Sequence, residues 1–203
     1  MATPARLTAL VGGLTLALTL SACGDGASST SGSDAPPAAP VEASEISQEH
    51  NAADVEFARQ MIPHHRQATE MAEPAADRAE SEDVKALAEE IIAAQQPEIE
   101  TMTAMLDRWG QSMSGDGPMG GMDMGGMNGM MTPQQMTELE NASGAEFDRL
   151  FLQMMIVHHE GAVEMARAEQ VDGQNPQAIE LAKQIESAQI EEIGRMQGLL
   201  PII

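Results

Sequence analysis

The chain has no tyrosine, and its aromatic residues are three Phe and one Trp among 203 residues. Proteins that grip single-stranded nucleic acid stack bases on exposed aromatic rings, and four rings are too few for that. Basic residues are also scarce: 10 Lys and Arg stand against 32 Asp and Glu, for a net charge of −22. A surface of that sign repels a phosphate backbone, so nucleic acid is excluded as a partner. The single cysteine, Cys23, leaves no intramolecular disulfide and no multi-cysteine zinc or iron–sulfur site. No apolar run reaches the ~20 residues of a membrane span. The longest, Leu7 to Leu20, has 14 residues. What is plentiful is methionine: 17 residues, in a composition that is 42% hydrophobic and sufficient for a packed core.

The N-terminus reads as an address. Arg6 precedes the apolar run, which ends in Leu20-Ser21-Ala22-Cys23, the order of a secretory signal with small residues before its cleavage point. Leu-Ser-Ala-Cys resembles a bacterial lipobox. That resemblance implies removal of residues 1–22, lipidation of Cys23 and anchoring to a lipid bilayer on the outer side of the cytoplasmic membrane, in the cell envelope. An ordinary signal cleaved nearby is the alternative. Residues 23–48 are rich in Gly, Ser, Ala and Pro, too poor in apolar side chains to offset the entropy of ordering, and are expected to form a tether.

The remainder, 49–203, is one helical hairpin written twice. At a constant offset of 94, residues 54–106 match 148–200 without a gap and with 19 identities. Asp54, Phe57, Met61, Ile62, His64, His65, Ala68, Glu70, Met71 and Ala72 repeat as Asp148, Phe151, Met155, Ile156, His158, His159, Ala162, Glu164, Met165 and Ala166. Further on, Gln95, Glu98, Ile99 and Met102 repeat as Gln189, Glu192, Ile193 and Met196. Such a repeat marks a supersecondary unit used twice. Ala, Glu, Gln, Met and Leu dominate both copies and favour helix. Four helices are predicted, at about 49–79, 82–109, 144–171 and 176–199. Ser81 and Asn175 are expected as N-caps, Gly110 as a stop, and Pro63 and Pro97 as kinks that copy two lacks. The fold class predicted is all-α, a four-helix bundle, with a short extra helix near 133–140. Between the copies runs a Met/Gly-rich connection, 112–131, long enough to cross back along a bundle as in ferritin-like folds.

On a helical projection the repeated residues of the first helix form one stripe about 120° wide, with His64 and His65 on its shoulders. In the second helix Gln95 and Glu98 share a face with Ile91, Ile99, Met102 and Leu106. Buried polar groups need partners, and the histidines opposite are suited to supply them. One reading therefore makes these residues core, the histidines bonding to Gln95 and Glu98. The other makes them a metal site. No histidine has Glu three residues before it, as carboxylate-bridged di-iron bundles require. That position holds Met61 before His64 and Met155 before His158. Thioether with imidazole favours copper, above all Cu(I). His159-Glu160 lacks the second histidine of a zinc-protease motif, and no organic cofactor motif is present.

The connection points the same way. Met119, Met122, Met124, Met127, Met130 and Met131 stand one to three residues apart among glycines, and a flexible chain of thioethers can wrap a Cu(I) ion. A low-complexity linker is the plain alternative. His50 and Met113 could add ligands but have no repeat counterpart.

The pattern Asp54-x-x-Phe57-x-x-x-Met61-x-x-His64-His65-x-x-Ala68-x-x-Met71-Ala72, with its copy at 148–166, resembles the signature of the bacterial domain of unknown function 305. The resemblance implies a ferritin-like four-helix domain of secreted or envelope proteins, some associated with copper binding and tolerance. It implies Met61, His64, His65, Met71, Met155, His158, His159 and Met165 as binding positions. The function expected is therefore a lipid-anchored, extracytoplasmic copper-binding protein that sequesters or passes on the ion without catalysis. An acidic helical interaction lipoprotein with no metal role is the alternative, and a metal-dependent oxidase is a weaker one.

Overall fold

Six α-helices follow one another in a computed structural model that describes residues 46–113 and 129–203. They are α1 (Ala52–Ala72), α2 (Ala75–Arg78), α3 (Glu82–Arg108), α4 (Pro133–Asn141), α5 (Ala145–Asp172) and α6 (Pro176–Leu199), closed by a 3-10 turn at Leu200–Ile202. No strand occurs among the described residues. The fold is all-α, with α1 packed on α3, α5 on α6, and the two hairpins joined chiefly through α1 and α5. The four long helices and α4 lie where sequence patterning predicts them. The one departure is at 49–79. Asn51 starts α1 later, its side chain accepting from the N–H groups of Ala53 and Asp54 while Asp54 accepts from the N–H of Asn51. The helix then breaks at Glu73-Pro74, because proline cannot supply the N–H that the next turn needs. Pro63 and Pro97 lie within helices, as expected. Gly110 ends α3 with φ +66°, a left-handed conformation that glycine adopts without penalty.

The hairpins lock by exchanging caps. Asp54 Oδ1 accepts from the backbone N–H groups of Gln174 and Asn175 at 3.0 and 2.8 Å, at the start of α6. Asp148 accepts from those of Glu80 and Ser81 at 3.2 and 2.8 Å, at the start of α3. Each repeat's first aspartate thus satisfies orphan donors before the other repeat's second long helix. Asn175 also caps α6 with its side chain. Ser81 does not cap α3 through its hydroxyl, contrary to expectation; Asp148 serves that end instead.

The core divides into two apolar groups. One contains Phe57, Met61 and Ile62 of α1, Ile99 and Met102 of α3, Ala162 and Met165 of α5, and Leu181 and Ile185 of α6. The other contains Ala68 and Met71, Leu87 and Ile91, Phe151 and Met155, and Met196 from the same four helices. The order of the groups along α1 is the reverse of that along α5, so these helices run antiparallel. Between the groups, on every long helix, come the polar residues His64 and His65, Gln95 and Glu98, His158 and His159, Gln189 and Glu192. A polar layer, repeated in each hairpin, therefore crosses the middle of an otherwise apolar bundle.

Candidate metal centre

Each hairpin contributes one imidazole–carboxylate pair to the layer. His65 Nε2 lies 2.7 Å from Glu98 Oε2, and His159 Nε2 lies 2.6 Å from Glu192 Oε2. Both imidazoles are fully buried, while the glutamates keep 11% and 13% of their side-chain surface exposed. A carboxylate only accepts, so each ring donates from Nε2, and the neutral form of the ring carries its lone pair on Nδ1. Neither Nδ1 has a hydrogen-bond partner. A buried acceptor left bare is costly. The same arrangement, with one ring nitrogen held by a carboxylate and the other bare, is the one metal-ligating histidines adopt.

The other two histidines face each other across the α1–α5 contact. The rings of His64 and His158 are 3.7 Å apart between centroids and tilted by 34°. Burial, then the proximity of His64, His159 and His65, hold the His158 pKa well below the usual histidine value. His158 is thus neutral at physiological pH, and neither of its ring nitrogens has a hydrogen-bond partner. The Gln95 amide is orphaned at both atoms and Gln189 at its oxygen.

The methionines flank this layer. Met61 and Met165 belong to the apolar group on one side, Met71 and Met155 to the group on the other. The fold thus brings each copy's leading methionine together with the trailing methionine of the other copy. Met130 and Met131 are buried, Met131 in the group of Met71 and Met155. Met119, Met122, Met124 and Met127 lie outside the described residues, as do Cys23, the signal and most of the tether. Met113 is exposed. His50 stacks on Trp109, with centroids 4.9 Å apart, near the start of α1 and away from the layer.

Among the described residues no three His, Cys, Asp or Glu side chains converge on a point that could hold an ion. Imidazoles come singly or in pairs, so an ion held here must complete its shell with thioether or amide donors. That suits a soft, low-coordinate cation better than a hard ion that needs six oxygens. The bare nitrogens and adjacent thioethers fit copper as cargo.

Three roles escape sequence reasoning. Asp54 and Asp148 were visible as repeated acids on an apolar stripe, a signal of a buried polar partner, but not as caps for the opposite hairpin. Gln67 and Glu169 have no repeat match: Gly161 and Ala75 stand at the corresponding positions. Glu169 is buried beside a cavity of about 270 Å³ lined by Phe57, Gln60, Glu164, Met165 and Asp172 among others. Its pKa is raised to about 8 by burial and by the adjacent Asp54 carboxylate. Burial also pushes Asp54 upward, but the N–H groups it accepts outweigh this and leave it below the usual value.

Comparison with known proteins agrees with the fold. A crystal structure of a DUF305 fragment from Deinococcus radiodurans superposes with a TM-score of 0.68 at 33% identity, covering 75% of this chain and 98% of that one. A DUF305 protein from Streptomyces coelicolor gives a TM-score of 0.67 at 36% identity, over 73% and 91% of the two chains. CopM in its Cu(II)-bound form gives 0.62 at 33% identity, over 73% and 95%. CopM has also been solved with Cu(I), with silver and in the apo form. No curated protein matches the chain. The family model for the domain of unknown function DUF305 matches residues 54–200, both hairpins together, and the chain belongs to that family.

Proposed function

We propose that this protein binds copper, chiefly as Cu(I), in the polar layer of the bundle, and stores or hands on the ion without chemical turnover. The observation that carries this reading is the pair of bare Nδ1 atoms on His65 and His159, each ring oriented by a carboxylate through Nε2. Those nitrogens lie in a layer bounded by thioethers, a donor set that prefers Cu(I). The solved relative CopM, at 32% identity, carries Cu(I) in one of its crystal forms. The acidic surface favours the approach of cations.

Lipidation at Cys23 would place the domain on the outer face of the cytoplasmic membrane. No described helix is long and apolar enough to cross a membrane. Anaerobic titration of the mature domain with Cu(I) against a chromophoric chelator tests the binding. The expected result is at least one tight site that is lost when His65 and His159 are both replaced by Leu. Equal stoichiometry and affinity in that variant would sink the assignment. Mass analysis of protein released from its native envelope tests the lipid.

A further inference from the structure

Gln67 lies on α1, two residues beyond His65 and half-buried. Its side chain does not take part in the bundle's core. Instead it pairs with the backbone of one residue at the end of the methionine-rich connection. Oε1 accepts from the Met131 N–H at 2.7 Å, and Nε2 donates to the Met131 carbonyl at 2.9 Å. One primary amide thus satisfies both backbone groups of a single residue. Two residues earlier the chain touches α5. Gly129 has φ +80°, and a Cβ there would fall 2.4 Å from the Val157 carbonyl oxygen and 3.2 Å from His158 Cα. Only glycine fits so close to the backbone that carries His158.

Between these two anchors the chain has one residue of slack, Met130. It passes from the backbone of His158 to the turn of α1 that follows His64 and His65. Met130 and Met131 are both buried there, Met131 among Met71, Met155 and Phe151. Among the described residues copy two has no equivalent device. Position 161, the counterpart of Gln67, is a buried glycine with no side chain to offer. Among the described residues, the end of the connection is held by Gln67 of copy one and passes against His158 of copy two.

We propose that Gln67 is a positioning residue for ion capture. It latches Met130 and Met131 against the histidine layer, and so fixes where these two thioethers lie. This rests on the copper reading above and adds to it a determinant of affinity that ligates nothing itself. The latch is a property of the metal-free protein, so it can be read without copper as well as with it.

The test compares wild type with Gln67→Leu, which keeps size and loses both hydrogen bonds, and Gln67→Glu, which keeps an acceptor for the Met131 N–H. In the metal-free full chain, amide exchange at Met131 should quicken at least tenfold in Gln67→Leu, with the melting transition of the bundle retained. Cu(I) affinity, measured by chelator competition, should fall about tenfold, the size usual when a supporting residue of a metal site is lost. X-ray absorption should show fewer sulfur neighbours around the ion. Gln67→Glu should recover part of both, and it carries the test by itself if Gln67→Leu fails to fold. Wild-type affinity and sulfur count in a folded Gln67→Leu overturn the positioning role while leaving the copper reading intact. Wild-type protein that takes up no Cu(I) overturns both, and no variant is needed to see it.

Discussion

At one end of the bundle Asp54 accepts the N–H groups of Gln174 and Asn175; at the other, Asp148 accepts those of Glu80 and Ser81. The four donors match at the repeat offset, so the exchange of caps is a property of the duplicated hairpin. The surroundings differ. Asn175 caps α6 with its side chain and also bonds the carbonyls of Ser47 and Glu49, strapping the segment before α1 to the bundle. Ser81 makes no such cap. Glu169 crowds Asp54 with a second carboxyl, whereas Ala75 stands at its counterpart. The comparison separates what the two hairpins need in order to face each other, which is kept, from what each end adds by itself.

Removing the clasps is the strongest way to break that comparison. Each aspartate is buried, and its loss strands backbone donors at a helix start. Asp54→Ala, which loses three accepted N–H groups, should cost about 3 kcal/mol, and Asp148→Ala, which loses two, about 2 kcal/mol. Urea unfolding checks both. Equal small costs would mean that the clasps contribute little to holding the hairpins together.

In their imidazole–carboxylate pairs the two copies should behave alike. Glu98→Gln and Glu192→Gln each replace a carboxylate by an amide that can present a donor to Nε2 and so invert the tautomer. Each should weaken Cu(I) binding by about 10- to 100-fold. A large effect in one copy and none in the other would show that a single half-layer binds.

Glu169 should separate the two ends by pH. Its folded pKa is about 8 against an ordinary value of 4.5, so the native state holds a proton that the unfolded chain releases. Stability therefore falls as pH rises from about 4.5 to about 8 and then levels off. Gln keeps the shape and needs no proton. Glu169→Gln should match wild type near pH 4 and exceed it by roughly 1–2 kcal/mol at pH 8, a figure reduced for water entering through the adjoining cavity. Thermal melts across that range read the difference, and a pH-independent gap would contradict the raised pKa. The smallest contrast is between the two cap residues. Asn175→Ala should cost about 1–2 kcal/mol, and Ser81→Ala should stay within about 0.5 kcal/mol of wild type.

Much of this architecture is legible in sequence because it is repeated. Helix-forming composition, a constant offset and one apolar stripe per helix lead to two hairpins, and Asn175, Gly110 and Pro133 mark helix ends by local chemistry alone. The break after Ala72 was less visible, since Pro74 lies in a segment rich in Ala and Glu that otherwise favours helix. The candidate residues could be named from the sequence, but not their arrangement in space. Met61 and Met71 lie on one helix but fall in different halves of the core, because the histidine layer comes between them and α5 runs antiparallel to α1. Pairings between distant segments, such as Gln67 with Met131, leave no periodic trace. Glu169 and Gln67 are the residues that a search for repeats passes over, and both sit where the copies have diverged.

The central claim is that the buried Nδ1 atoms of His65 and His159 take the ion while Nε2 stays bonded to glutamate. Nitrogen-15 NMR of the imidazoles, on anaerobic addition of Cu(I) to the labelled domain, reads this directly. The account predicts large shifts at Nδ1 of both residues with the Nε2–H resonances preserved. Copper bound at full stoichiometry with both Nδ1 signals unmoved would contradict it.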